Sequence, residues 1–121
     1  MVEKNMKLEL TDKFRYAMTK QFPILKIAEE AIFDAMGVSI DDMRSNKRYR
    51  NFVYARMIFS NLCDNVRPHC HLATYLNRDH SMLVYWNKTF NDSIKYDKNF
   101  SAIYNDVIEI FKEKKLEYGI F

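Results

Sequence analysis

Arg78-Asp79-His80-Ser81 is the stretch of this sequence best suited to reading a charged polymer. An arginine fork fits guanine edges and phosphates, and an aspartate accepts from cytosine N4. Histidine and serine can each meet a base edge or a phosphate. Thirty residues upstream lies a second concentration of basic residues, Lys47-Arg48-Tyr49-Arg50. Between positions 44 and 88 the chain carries Arg44, Lys47, Arg48, Arg50, Arg56, Arg67, Arg78 and Lys88 against Asp64 and Asp79 alone. That middle third is +6 in a chain whose total is +3, so the flanking segments are net acidic. A basic segment on an otherwise neutral domain is the footprint expected of a nucleic-acid face.

Other chemistries fit less well. Cys63, His69, Cys70 and His71 include metal-ligating types, but three are consecutive, which makes convergence on one tetrahedral ion awkward. A buried thiol and connector histidines are the plainer reading. His80 beside Asp79 has no nucleophile or second carboxylate for acid–base work, so no enzyme is expected. With two glycines, Gly37 and Gly119, neither a Walker loop nor a dinucleotide fingerprint can be written. We expect no cofactor and no bound nucleotide. The longest apolar run, Met82 to Trp86, is far below the roughly 20 residues of a membrane helix, and the charged start has no signal core. These features predict a cytoplasmic, nucleoid-associated protein with no membrane partner and with reduced cysteines.

The elements that must position these residues are helical. At 121 residues, 48% hydrophobic and 15% aromatic, with two prolines, the chain can bury a core of helices without staples. A short helix is expected after Thr11 as N-cap, with Leu10, Phe14, Ala17 and Met18 on one face, broken at Gln21-Phe22-Pro23. Ile24, Ile27, Ala28, Ala31, Ile32 and Ala35 then repeat at helical spacing up to Gly37 as the C′ stop. Ser39, with Asp41 and Asp42 behind it, caps a short helix before the basic loop, residues 44–50. Phe52, Ala55, Phe59 and Leu62 mark a helix from about Tyr49 to Asp64. A connector containing Pro68 leads to a short helix over residues 69–76, with Leu72, Ala73 and Leu76 inward. After a turn at Asn77-Arg78, a helix runs from about Asp79 to Asn91 with Leu83, Trp86 and Phe90 buried. Trp86 and Phe90 are at core spacing, so packing outweighs base stacking for both. A polar connector precedes a last helix with Phe100, Ile103, Tyr104, Val107 and Phe111 inward and Glu109 and Glu113 facing water.

Two short helices about a tight turn, the second opening on Arg78-Asp79-His80-Ser81, make a helix-turn-helix whose first turn would reach base edges in the major groove. Gly37-Val38-Ser39-Ile40-Asp41-Asp42-Met43-Arg44-Ser45, then Lys47-Arg48-Tyr49-Arg50, then Arg78-Asp79-His80-Ser81, resemble the C-terminal DNA-binding domain of the bacterial replication initiator DnaA in order and approximate spacing. The resemblance spans roughly residues 24 to 116. It implies a Trp-repressor-like helical bundle that binds the DnaA box in double-stranded DNA. It further implies Arg48 in the minor groove and Arg78, Asp79, His80 and Ser81 in the major groove. By position, Lys47, Arg50, Arg56 and Lys88 would serve as phosphate contacts, and Arg44 and Met82 complete the expected DNA-binding set.

Departures from the family pattern sharpen the expectation. Tyr54-Ala55-Arg56 replaces the family's Arg-Pro-Arg, the segment before the signature is shorter, and Met82 replaces a threonine that often meets a thymine methyl. A longer, more adaptable side chain there predicts a shifted or relaxed box preference. The ATPase module of the full initiator is not written in this chain. The expected activity is therefore box binding in replication control or transcription, without ATP hydrolysis. Residues 1–22 form an N-terminal extension to the domain over residues 23–121, which either caps the core or supplies a homodimer contact. A protein-interaction module turning the basic face to an acidic partner is the alternative. RNA is disfavoured because the A-form major groove is too deep and narrow for a recognition helix.

Overall fold

Helix formers dominate every segment between the few breakers, and the fold follows from where those breakers fall. A computed structural model describes residues 2–120, with side chains from Asp12 onward. Among the described residues there are seven helices and no strand. They are α1 (Val2–Gln21), α2 (Pro23–Met36), α3 (Ile40–Arg44), α4 (Arg50–Leu62), α5 (His69–Tyr75), α6 (His80–Tyr96) and α7 (Lys98–Glu117). The expected all-helical bundle is what the chain forms.

Pro23 takes the first position of α2, where its missing N–H costs nothing, and Phe22 is left between the two helices. Gly37 ends α2 in the left-handed region (φ 71°), its N–H bonded to the Phe33 carbonyl at 2.8 Å. Leu25, Ile27, Ala28, Ala31 and Ile32 are buried from this helix, and its principal partner is α7. The two run antiparallel: Lys114 reaches Asp34 at 3.0 Å, while the Tyr118 hydroxyl, one turn on, reaches Glu30, one turn back. Around this pair, α4 packs on α6, α6 on α7, and α5 on α6.

Two boundaries differ from expectation. Helix α1 begins at Val2, so Thr11 lies inside it rather than capping it. Residues 2–10 contain no glycine or proline and are rich in Glu, Lys and Leu, so nothing stops the helix upstream. Of its expected apolar face, Met18 is buried, Phe14 is half-buried with its ring edge-on to His71 at 6.1 Å, and Ala17 is exposed. Leu10 lies outside the described side chains. Through these contacts α1 packs on α2 and α5 of its own domain.

The second difference is at α6, which continues to Tyr96, so the expected polar connector shrinks to Asp97. Ile94 extends the core stripe of Leu83, Trp86 and Phe90 by one more turn and outweighs its polar neighbours. Asp97 then starts α7, its carboxylate accepting from the Phe100 N–H (3.1 Å) and from the Tyr54 hydroxyl (2.5 Å). That second bond ties α4 to the α6–α7 corner. At the centre, the Phe59 and Tyr75 rings stack at 5.7 Å. Tyr75 donates its hydroxyl proton to the Glu29 carboxylate, a half-buried acid whose pKa is raised by that burial.

Candidate nucleic-acid interface

The basic loop is built from a capped start and a pinned end. Ser39 and Asp42 form a reciprocal capping box, each side chain accepting from the other's backbone N–H at 3.1 Å. That orients α3, whose last turn delivers Arg44. The Ser45 hydroxyl donates back to the Asp42 carbonyl (2.6 Å) and accepts from the Lys47 N–H (3.3 Å), which turns the chain outward. Residues 45–49 carry no helix.

Two guanidinium groups hold this loop from below. Arg56 of α4 donates from Nε to the Met43 carbonyl at 2.7 Å. Its Nη2 donates to the carbonyls of Lys47 (2.8 Å), Ser45 (2.9 Å) and Asp42 (3.4 Å). Arg78, from the α5–α6 turn, donates from Nη2 to the same Ser45 carbonyl and from Nη1 to the carbonyls of Asn77 (3.0 Å) and Arg44 (3.3 Å). Carbonyls satisfy the donors, but they do not cancel the charge. Burial, with Arg78 and Arg48 adding repulsion, lowers the Arg56 pKa to about 10. Burial and Arg48 lower that of Arg78. Among the described residues no carboxylate oxygen lies within 4 Å of Arg44, Lys47, Arg48, Arg50, Arg56, Arg78 or Lys88.

This corrects the expected roles of two arginines. Arg56 is 3% exposed and is committed to backbone carbonyls, so it positions the loop instead of standing out as a surface phosphate contact. Arg78 is half-buried, and both its terminal nitrogens hold backbone; a bidentate fork on a base would require it to leave them. The shared cause is that sequence spacing shows which residues are charged but not which carbonyls the fold leaves unpaired nearby.

The turn beneath is tight. Asn77 adopts φ 58°, and the Arg78 N–H bonds to the Ala73 carbonyl at 2.9 Å. Asparagine tolerates the left-handed region better than most residues, which is what this position demands. Asp79 holds the N-cap position of α6 with extended backbone, yet its side chain makes no cap bond. The carboxylate therefore remains a free acceptor on the surface. Asp79, His80 and Ser81 are all exposed, and Met82 is half-buried. Lys88 is exposed on the face of α6 that bears Ser81, two turns along.

Arg48, Arg56, Arg78, Asp79 and Met82 are brought together around one open cleft of about 890 Å³, closed behind by Trp86. Trp86 is 2% exposed and serves packing. Lys47, Arg50 and Lys88 lie outside the cleft lining on the exposed surface. Arg44 is half-buried, with its Nε buried and lacking a hydrogen-bond partner. Cys63 is buried and Cys70 exposed.

Sequence reasoning missed two groups. Tyr85, Thr74 and Asn46 also line the cleft, and spacing alone gave no signal for them. The second is a cluster where the α4–α5 connector enters α5: the His69 ring lies 6.1 Å from that of His80 and 3.2 Å from the Asp64 carboxylate.

No family model and no solved structure matches this chain. It is similar to the chromosomal replication initiator protein DnaA of Pelobacter propionicus, with 28% identity over 86 residues. The match covers 69% of this chain and 19% of that initiator, so the chain corresponds to about a fifth of the relative's length.

Proposed function

We propose that this chain binds double-stranded DNA at DnaA-box-like sites, with Arg48 in the minor groove and the first turn of α6 in the adjacent major groove. The observation that carries this reading is a group of guanidiniums fixed on backbone carbonyls, without a nearby carboxylate, beside a helix N-terminus whose polar residues face outward. Such a cluster is costly unless an anion completes it, and a phosphodiester strand supplies one phosphate after another. The similarity to a replication initiator points the same way.

The cleft gives the reading its geometry. A protein that places a loop in one groove and a helix in the next must pass the intervening phosphate strand between them. Here that path is the cleft lined by Arg48, Arg56 and Arg78. Asp79, His80 and Ser81 meet base edges, and Met82, at the mouth, makes an apolar contact where a thymine methyl would lie. Lys47, Arg50 and Lys88 add phosphate contacts that set register without reading sequence. The activity is site occupancy in replication control or transcription, without ATP hydrolysis by this chain.

The test is titration of a DnaA-box duplex and a scrambled duplex at physiological salt. Preference for the box supports the reading, and equal affinity removes its sequence-specific part.

A further inference from the structure

We propose that Arg67, on the connector between α4 and α5, and His69, the first residue of α5, form a second phosphate-binding flank of the DNA face, with Arg67 meeting the phosphate and His69 positioning it. The inference rests on the duplex-binding reading above and adds residues that reading does not use.

The cluster has a defined hydrogen-bond direction. His69 Nδ1 lies 3.1 Å from Arg67 Nη1, and His69 Nε2 lies 3.2 Å from Asp64 Oδ1 and 3.3 Å from the Asp64 carbonyl. A guanidinium only donates, so Nδ1 must be the bare acceptor and Nε2 must carry the hydrogen toward Asp64. One neutral tautomer satisfies both contacts. Asp64 orients the imidazole, and the imidazole steers the guanidinium. The direct Arg67–Asp64 contact is long, 3.8 Å, between side chains 63% and 52% exposed. Exposed pairs of this kind contribute little, so a phosphate can displace it. His69 is the anchored member, its side chain only 19% exposed.

Position around α6 gives the cluster its role. His80 opens α6, and its ring lies 6.1 Å from that of His69. At about 100° per residue, Met82 and Tyr85, which line the cleft, lie roughly 200° and 140° around the helix from His80. Arg67 and His69 therefore stand on the opposite side of α6 from the basic loop. A helix lying in the major groove has a phosphate strand on each side. The cleft accounts for one strand, and the Arg67 flank faces the other.

The test is salt-dependent titration of a DnaA-box duplex with the wild-type chain, Arg67→Ala, His69→Ala and the double variant, alongside thermal unfolding of each. One phosphate contact contributes about −0.9 to the slope of log affinity against log salt. Arg67→Ala should therefore show a fall in affinity between about 50 and 200 mM salt that is three- to fourfold smaller than wild type, with an unchanged unfolding midpoint. His69→Ala should reproduce part of that change and add nothing in the double variant, as expected of a residue acting through Arg67. A wild-type slope in Arg67→Ala overturns the flank, and additive losses overturn the positioning role of His69. Should His69→Ala unfold the domain, Arg67→Glu replaces it, with weakened binding expected and unchanged binding overturning the proposal. Failure of the wild-type chain to bind any duplex would instead sink the functional reading itself.

Discussion

Arg56 and Arg78 donate to one and the same carbonyl, that of Ser45. One arginine comes from the middle of α4 and the other from the turn before α6, so a single backbone oxygen joins the basic loop to both. This joint fixes the distance between the two proposed reading heads. Preorganisation of that kind lowers the ordering cost of binding.

Arg56→Ala should therefore damage both stability and binding. It removes charge-assisted bonds to four carbonyls of residues 42–47, and bonds of this kind contribute about 1.5–3 kcal/mol each at most before relaxation and water recover part. A net loss of about 2–3 kcal/mol in denaturant unfolding is expected. Arg56→Lys should recover only a minor part, because one ammonium cannot span the carbonyls that the fork reaches.

Arg48→Ala should behave differently. Its side chain is exposed and makes no hydrogen bond among the described residues, so the unfolding midpoint should stay within error of wild type. Affinity for the preferred duplex should fall by about 1–3 kcal/mol, with discrimination against scrambled DNA reduced. His80→Ala should show the same pattern. Loss of stability without loss of discrimination would contradict the assignment of either residue.

Lys47→Ala and Arg50→Ala should weaken binding to preferred and scrambled duplexes alike. Each should make the salt dependence shallower by about one unit of slope. A change confined to the preferred duplex would move these residues from phosphate contacts to base readers.

Glu29 gives the stability profile a predictable direction. Burial raises its pKa above 4.5, although the Tyr75 hydroxyl opposes this by donating to the carboxylate. A carboxyl with a raised folded pKa contributes stability that is complete below its unfolded value and is lost as pH rises through the folded value. Glu29→Gln should thus flatten the decline in stability as pH rises above about 4.5. Tyr75→Phe should cost about 1–3 kcal/mol by leaving the half-buried Glu29 carboxyl without its hydroxyl donor. Unfolding curves across pH for both variants check the sign.

Most of the helical layout was legible because the chain's breakers are few and strong. Pro23, Gly37, the Ser39–Asp42 box and Asn77 each sit where a helix must stop, start or turn, and Leu83, Trp86 and Phe90 announce the buried side of α6. The failures have one origin. The start of α1 and the end of α6 lack a breaker, so composition misplaced them. Periodicity found Phe59 but not its stacking partner Tyr75, because an aromatic on a short helix carries no sign of what lies opposite.

At the interface, residue types showed where charge gathers and not how it is spent. Arg48, Asp79, His80 and Ser81 are exposed as a reader would be, whereas Arg56 and both terminal nitrogens of Arg78 are engaged by backbone carbonyls, most of them from α3 and the loop. The Asp64–Arg67–His69 cluster was invisible because its meaning depends on His80, eleven residues away from His69 in sequence and next to it in space.

Selection of bound duplexes from a random pool, followed by titration of the enriched site and a scrambled control at physiological salt, tests the central claim most directly. The account predicts one enriched site with a minor-groove segment beside a major-groove core, bound on the order of a thousandfold tighter than the scrambled duplex. Met82→Thr should change the preferred base at a single position of that site. A pool that yields no common sequence, or an enriched duplex bound no better than its scrambled control, would contradict it.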